Sequence, residues 1–199
     1  MTLRRVALAA ACLVVLTASP VRAATLLVTM KGLKYTPAVS RVNISDSVTW
    51  SNDASDRHTT TSAGPTPWDS GRMNPWGGRF THTFPIAGTF PFYCTIHKSV
   101  GMTGRILVAP KVAPTRGTTA TDFVVTLAGA GVKPPTGYVF VAEKALGDGA
   151  YSTLVRTSAA SARFRLPAAG TYRVRTGLQK STGAANAAWF SEPVTLSVG

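Results

Sequence analysis

The sequence predicts an all-β protein made of two successive β-sandwich units behind a short leader. Beyond the first residues no stretch sustains a helical period. Short runs rich in Val, Thr, Phe and Tyr recur instead between clusters of Gly, Pro, Asn and Asp, the pattern of strands and turns. A proline-bearing break near the middle, Ala109-Pro110-Lys111-Val112-Ala113-Pro114, divides the chain. At 199 residues the chain suits two compact domains once a leader is removed. Charged residues at 15% and hydrophobic ones at 45% exclude a disordered acidic chain.

Residues 1–23 place Arg4 and Arg5 before the apolar run 6–16 and end in small residues at Val21-Arg22-Ala23. That order is a secretory signal peptide with cleavage expected after Ala23, too short for a membrane span and without a stop-transfer pattern. The residues around Arg4-Arg5 match the twin-arginine export motif poorly. Cys12 leaves with the leader, so Cys94 is the single cysteine of the mature chain and no internal disulfide forms. An exported protein with one thiol needs that sulfur buried or bound, and a metal thiolate is one answer. Loss of Arg4, Arg5 and Arg22 lowers the formal charge from +13 to +10. A basic exported protein favours acidic partner proteins, anionic wall polymers or anionic headgroups. Nucleic acid is disfavoured, because no Lys/Arg run or aromatic-basic module accompanies the charge.

Strands are expected over 25–30, 41–44, 47–51, 79–84, 88–94 and 104–108, with a loop over 63–78 that carries Pro65, Pro67 and Pro75. The first domain is assigned to 24–110, a semi-rigid linker to 111–117 and the second domain to 118–199. The second domain has strand candidates over 122–127, 138–144, 152–157, 162–166, 170–176 and 193–198, a count and spacing that suit a sandwich.

The chemistry concentrates in Tyr93-Cys94-Thr95-Ile96-His97-Lys98-Ser99-Val100-Gly101-Met102, a C-x-x-H-x-x-x-x-M loop just after a strand. His58 lies upstream, after the strand ending Trp50-Ser51-Asn52. One thiolate, two imidazoles and a weak thioether are the ligand set of a blue-copper electron-transfer site. Cu(I) prefers soft sulfur and Cu(II) accepts nitrogen, so a rigid site with a distant Met serves both states with little rearrangement. Zinc accepts Cys and two His but gains little from a thioether.

Over roughly 25–109 the chain resembles the plastocyanin, pseudoazurin and amicyanin family of small cupredoxins. The resemblance rests on Asp46-Ser47-Val48-Thr49-Trp50-Ser51-Asn52 leading to His58. It continues in Phe84-Pro85-Ile86-Ala87-Gly88-Thr89-Phe90-Pro91-Phe92-Tyr93-Cys94 and in Gly101-Met102-Thr103-Gly104-Arg105-Ile106-Leu107-Val108. It implies a Greek-key β-sandwich that binds one type 1 copper ion through His58, Cys94, His97 and Met102. Many relatives have Pro before the loop histidine and Asn after the upstream one; here these are Ile96 and Thr59.

His82 is the rival upstream ligand, but Phe80-Thr81-His82-Thr83-Phe84 puts it on one strand face with two phenylalanines, where a structural histidine is expected. Met30 and Met73 read as packing or surface residues, and Trp68 and Trp76 as a cover for the site, a partner contact or local anchors. Three histidines are too few for the paired His-x-His clusters of multicopper oxidases, and no Ser-His-Asp set, phosphate loop or carboxylate pair appears, so an enzyme is not expected. Residues 138–144, 168–176 and the ending Ala188-Trp189-Phe190-Ser191-Glu192-Pro193-Val194 resemble a fibronectin type III or related immunoglobulin-like β-sandwich. There Arg163, Arg165, Arg173 and Arg175 recur at alternate positions, either a basic patch for an anionic surface or a solvated face. The expected function is single-electron transport at the cell surface, in a periplasm or in the extracellular space, with an unidentified redox partner protein of acidic character. The alternatives are copper sequestration or delivery, and adhesion on a cupredoxin scaffold.

Overall fold

The computed structural model describes residues 23–182 and 189–199. The expected leader lies outside the described residues except for Ala23, as does Ala188 at the head of the last quoted signature. The strands are β1 (Thr25–Lys31), β2 (Lys34–Thr36), β3 (Val39–Asn43), β4 (Ser47–Asn52), β5 (Thr61–Ser62), β6 (Gly78–Thr83), β7 (Gly88–Tyr93) and β8 (Thr103–Ala109) in the first half. The second half adds β9 (Lys111–Ala113), β10 (Arg116–Gly117), β11 (Phe123–Thr126), β12 (Tyr138–Leu146), β13 (Ser152–Thr157), β14 (Ser161–Phe164), β15 (Gly170–Lys180) and β16 (Val194–Val198). Among the described residues no helix is long and apolar enough to cross a membrane.

In the first half two four-stranded sheets, ordered β2-β1-β4-β6 and β3-β8-β7-β5, face each other. Period-2 alternation supplies their inner faces: β7 alternates buried with half-buried residues along its whole length, and β3 alternates exposed with buried ones. Val28, Met30, Val48 and Trp50 from one sheet meet Phe90, Phe92, Ile106 and Val108 from the other. Trp50 is fully buried, with Phe92 edge-on at 5.4 Å and Trp68 stacked at 6.1 Å. Each such large apolar side chain contributes roughly 1.5–3 kcal/mol by leaving water. β7 and β8 pair antiparallel in the register Gly88↔Val108 to Tyr93↔Thr103, which fixes where the connecting loop begins and ends. Gly104 is required in that ladder. A Cβ there would stand against the Phe92 ring and 2.8 Å from the Ala38 carbonyl oxygen.

The second half has a five-stranded sheet, β10-β16-β15-β12-β13, and a three-stranded one, β14-β11-β9. The segment 111–117, expected as a linker, is built into them: β9 pairs with β11 and β10 pairs with β16. Its prolines stop each short strand without freeing the backbone, because Pro110 and Pro114 fall between the paired residues. The arginine stripe is neutralised in place. Arg165 pairs with Asp122 at 2.6 Å, and Arg175 pairs with Glu143 at 2.6 Å while lying over the rings of Tyr151 and Phe190. Arg173 stands 3.9 Å from Asp148. Of the four, only Arg163 has no ion pair among the described residues.

The halves touch along the end of the first sandwich where β7 starts. The Thr89 N–H donates to the Trp189 carbonyl at 2.8 Å, and the Thr89 hydroxyl to the Phe190 carbonyl at 2.7 Å. Ala87 N–H donates to the Leu127 carbonyl and Gly129 N–H to the Pro85 carbonyl, both at 2.8 Å. Arg41 reaches Glu192 with two nitrogens, at 2.7 and 2.6 Å.

Candidate metal centre

Beyond the Tyr93↔Thr103 pair the chain closes a loop over 94–102. Cys94 N–H donates to the Met102 carbonyl at 3.0 Å and Met102 N–H to the His97 carbonyl at 3.2 Å, so the three residues are tied through their own backbone. A single 3₁₀ turn, Lys98–Val100, spans the gap and ends at Gly101 in the left-handed conformation, φ 80°. The sequence Lys-Ser-Val-Gly suits this, since glycine takes that conformation without a Cβ penalty. Cys94 is fully buried, Met102 is 1% exposed, and His97 is half-buried with its edge toward solvent.

His58 arrives on the loop that follows β4. Asn52, at the end of that strand, is wholly buried and holds the loop with its side chain. Its amide donates to the carbonyls of Asp56, Met73 and Asn74 at 2.8, 3.2 and 3.1 Å, and its Oδ1 accepts from Ala54 N–H at 3.1 Å. Met73 N–H then donates to the His58 carbonyl at 2.8 Å. The His58 ring is left fully buried with Nδ1 turned inward.

The three donor atoms form a closed triangle. Cys94 Sγ stands 3.8 Å from His58 Nδ1 and 3.5 Å from His97 Nδ1, and the two nitrogens are 3.1 Å apart. A point equidistant from all three lies about 2.0 Å from each, at the short end of the roughly 2.0–2.3 Å that separates a first-row metal ion from imidazole nitrogen and thiolate sulfur. With the thiol ionised and neither Nδ1 protonated, three lone pairs face one point and a cation between them relieves their repulsion, so the geometry fits a metal ion. Burial, and after it the charge of His97, holds the His58 imidazole below its ordinary pKa, which keeps it in the neutral form that binds metal. The Gly32 carbonyl beside this ring favours its protonated form and acts against that shift.

Thr59 ties the two ligand loops together. Its N–H donates to Cys94 Sγ at 3.4 Å, and its hydroxyl accepts from Thr95 N–H at 2.8 Å and contacts the Thr95 hydroxyl at 3.2 Å. Its carbonyl accepts from the buried Tyr35 hydroxyl at 2.6 Å. Burial, with the Cys94 thiolate as a smaller cause, raises the Tyr35 pKa, so the phenol remains a donor.

The structure thus brings His58, Cys94 and His97 within 4.8 Å of one another, and Met102 is bound through its backbone to two of them. His82 is elsewhere. It stacks on Trp68 at 5.0 Å and meets Phe84 edge-on at 5.0 Å, in an aromatic cluster that lowers its pKa by burial. Asn52 and Tyr35 are supporting residues absent from the sequence-based site. Asn52 had a signal, an amide at the end of an apolar strand before a polar loop; Tyr35 had none, because its partner is 24 residues away.

A buried thiol between two inward-turned imidazole nitrogens, on loops joining the sheets of a β-sandwich, defines a copper-binding cupredoxin site. Residues 23–109 match the family described as copper binding proteins, plastocyanin/azurin family. This part of the chain is a cupredoxin domain of that family. No curated protein matches the chain. Among solved structures, a novel purple cupredoxin from Nitrosopumilus maritimus is 25% identical, with 42% of this chain and 99% of that one covered and a TM-score of 0.38. A reduced amicyanin mutant is 26% identical over 42% of this chain and 81% of its own, with a TM-score of 0.39. A Cu(I) form of another amicyanin mutant is 26% identical over 45% and 86%, also with a TM-score of 0.39.

Proposed function

We propose that this is an exported single-electron carrier, not an enzyme. His58, Cys94 and His97 would hold one type 1 copper ion, with the thioether of Met102 as a further, weak donor. The observation that carries this reading is the closed donor triangle, set on two loops that Thr59 ties to each other and of which the second is closed on itself through Met102. Copper, when bound, supplies the Cu(I)/Cu(II) couple. The chain's own part is to keep the donors still, and a frame that does not move on a change of charge keeps the barrier to electron transfer low. Burial of His58, Cys94 and Met102 excludes water from the centre, while the half-exposed edge of His97 is the route to a partner. Residues 24–110 are the copper domain and 118–199 an immunoglobulin-like β-sandwich, with export through the leader at 1–23. The single mature thiol and the basic charge support a place at the cell surface, in a periplasm or outside the cell, where anionic polymers are within reach.

The test is the absorption spectrum of the mature protein with Cu(II), followed by voltammetry. An intense visible thiolate-to-copper band at one copper per chain is expected, bleached by a mild reductant and absent from Cys94→Ser. Reversible one-electron voltammetry with copper retained is expected too. A colourless Cu(II) complex would overturn the site, and loss of copper on each reduction would favour delivery over transport.

A further inference from the structure

Asp46 is a carboxylate only 7% exposed, and among the described residues no cation pairs with it. Its main chain is fixed in the turn between β3 and β4. Asp46 N–H donates to the Asn43 carbonyl at 3.1 Å, and the Asp46 carbonyl accepts from Phe84 N–H at 2.9 Å. Oδ2 closes that turn, accepting from Asn43 N–H at 2.8 Å and from the Asn43 side-chain amide at 3.1 Å. The turn makes no use of Oδ1. That oxygen serves the start of β1 instead, where it accepts from Ala24 N–H at 2.8 Å, while the Ala24 carbonyl accepts from Ser47 N–H at 2.9 Å. A nearly buried carboxylate whose donors are all neutral is incompletely compensated, because a buried charge is costly unless an opposite charge stands beside it.

Ala24 is the residue that the Val21-Arg22-Ala23 pattern places first in the mature chain. We propose that Asp46 is the receptor for the N-terminus made by leader removal, and that cleavage thereby locks β1 into the first sandwich; the inference rests on the export reading. Cleavage breaks the Ala23–Ala24 peptide bond with one water. The hydroxyl of that water completes the Ala23 carboxyl group, its proton goes to the Ala24 nitrogen, and the new amine takes a second proton from solvent. The result is an α-ammonium at neutral pH, on the atom already 2.8 Å from Oδ1. A cleft of about 230 Å³ beside Ala24, lined by Arg41, Asn43 and Asp46, leaves room for the charge and its water. Arg41, the cation on that cleft, is bound through two nitrogens to Glu192 and is neutralised there. The lock reaches the support of the metal centre. β1 pairs parallel with β4 from Thr25↔Ser47 to Met30↔Asn52, and Asn52 is the residue that holds the His58 loop. Before cleavage the Asp46 contact is a neutral hydrogen bond, so the precursor is the less stable form and the chain gains its full stability on processing.

Intact mass and N-terminal sequencing of the exported protein are expected to show a chain that begins at Ala24. Urea unfolding then compares this mature chain with one that carries Gly-Gly-Ser before Ala24, and with the Nα-acetylated mature chain. Both alterations keep the Ala24 N–H and remove its charge. A charge-assisted hydrogen bond is roughly twice as strong as a neutral one, so each altered chain is expected to have a folding equilibrium constant about tenfold below that of the mature chain. Asp46→Asn, which keeps an oxygen acceptor, should lower the constant too and should abolish the difference between mature and extended chains. An added aminopeptidase should remove Ala24 from the mature Asp46→Asn chain several-fold faster than from the mature wild type. Equal stability of the mature, extended and acetylated chains overturns the receptor, whether or not Asp46→Asn folds. An exported chain that begins at another residue overturns it as well and leaves export standing. If the leader stays on the chain and the protein stays inside the cell, the export reading falls and the receptor with it.

Discussion

Thr59→Val isolates the tie between the two ligand loops, because valine keeps the shape and β-branching of threonine and removes only the hydroxyl. In the wild type that hydroxyl accepts from Thr95 N–H at 2.8 Å and contacts the hydroxyls of Thr95 and Thr61, each at 3.2 Å. The two hydroxyl contacts cost little to lose, since Thr95 is exposed, Thr61 is half-buried, and both can turn to water. The backbone N–H of Thr95 has no such freedom beside the buried Thr59, and an unsatisfied buried donor costs about 1–3 kcal/mol. With part of that recovered by solvent, the expected loss is about 1–2 kcal/mol, a fall in Tm of about 2–8 °C for a mature chain of this size. Urea unfolding of the copper-free mature protein, followed by the fluorescence of Trp50 and Trp68, measures it: the midpoint should fall with m unchanged. The N–H donated by Thr59 to Cys94 Sγ is main chain and survives, so the thiolate-to-copper band should keep its position while copper dissociates faster. An unchanged midpoint, or an equal loss from Thr61→Val, refutes the tie.

His58→Ala is expected to abolish one-to-one copper binding while His82→Ala leaves stoichiometry and spectrum nearly intact, because His58 Nδ1 faces Cys94 Sγ and His82 packs on Trp68; titration with Cu(II) decides between them. Gly104→Ala is expected to lose about 1–3 kcal/mol by overpacking, since the Ala38 carbonyl 2.8 Å from the new methyl is main chain and cannot swing aside; chemical denaturation reads it. Burial lowers the His82 pKa below its ordinary value of about 6.5, so the unfolded chain takes up the proton first as pH falls. His82 thus contributes stability above about pH 6.5 that is lost as pH falls below it, and His82→Phe should flatten that part of the stability-against-pH curve relative to wild type.

The all-β class and the long strands were legible because alternation is local: 152–157 falls on β13 as expected, and β1, β4, β7 and β8 differ from expectation by one residue at an end or at both. β2, β5, β9 and β10 were not, since two or three residues carry no period and are held by their neighbours' ladders alone. The linker reading of 111–117 failed for the same reason. That Cys94 and His97 come together could be read from the sequence because one short loop carries both. The supports could not: Thr59 and Thr95 are 36 residues apart, and Arg175 finds Glu143 at a separation of 32. Trp68, expected as a possible cover or contact, is 7% exposed against Trp50, while Trp76 eight residues later is 74% exposed. Composition assigns the two tryptophans the same character, and only the packing of the loop separates them.

Strand β7 runs from the contact with the second half, at Gly88 and Thr89, to Tyr93, whose next residue is Cys94. At roughly 3.3 Å per residue the two ends are about 17 Å apart. The clamp made by Trp189, Phe190 and Glu192 therefore grips the molecule at the pole opposite its reactive one. Anything that seizes the protein by its second half would leave the metal-site pole pointing outward, and a row of such molecules on one support would all face the same way.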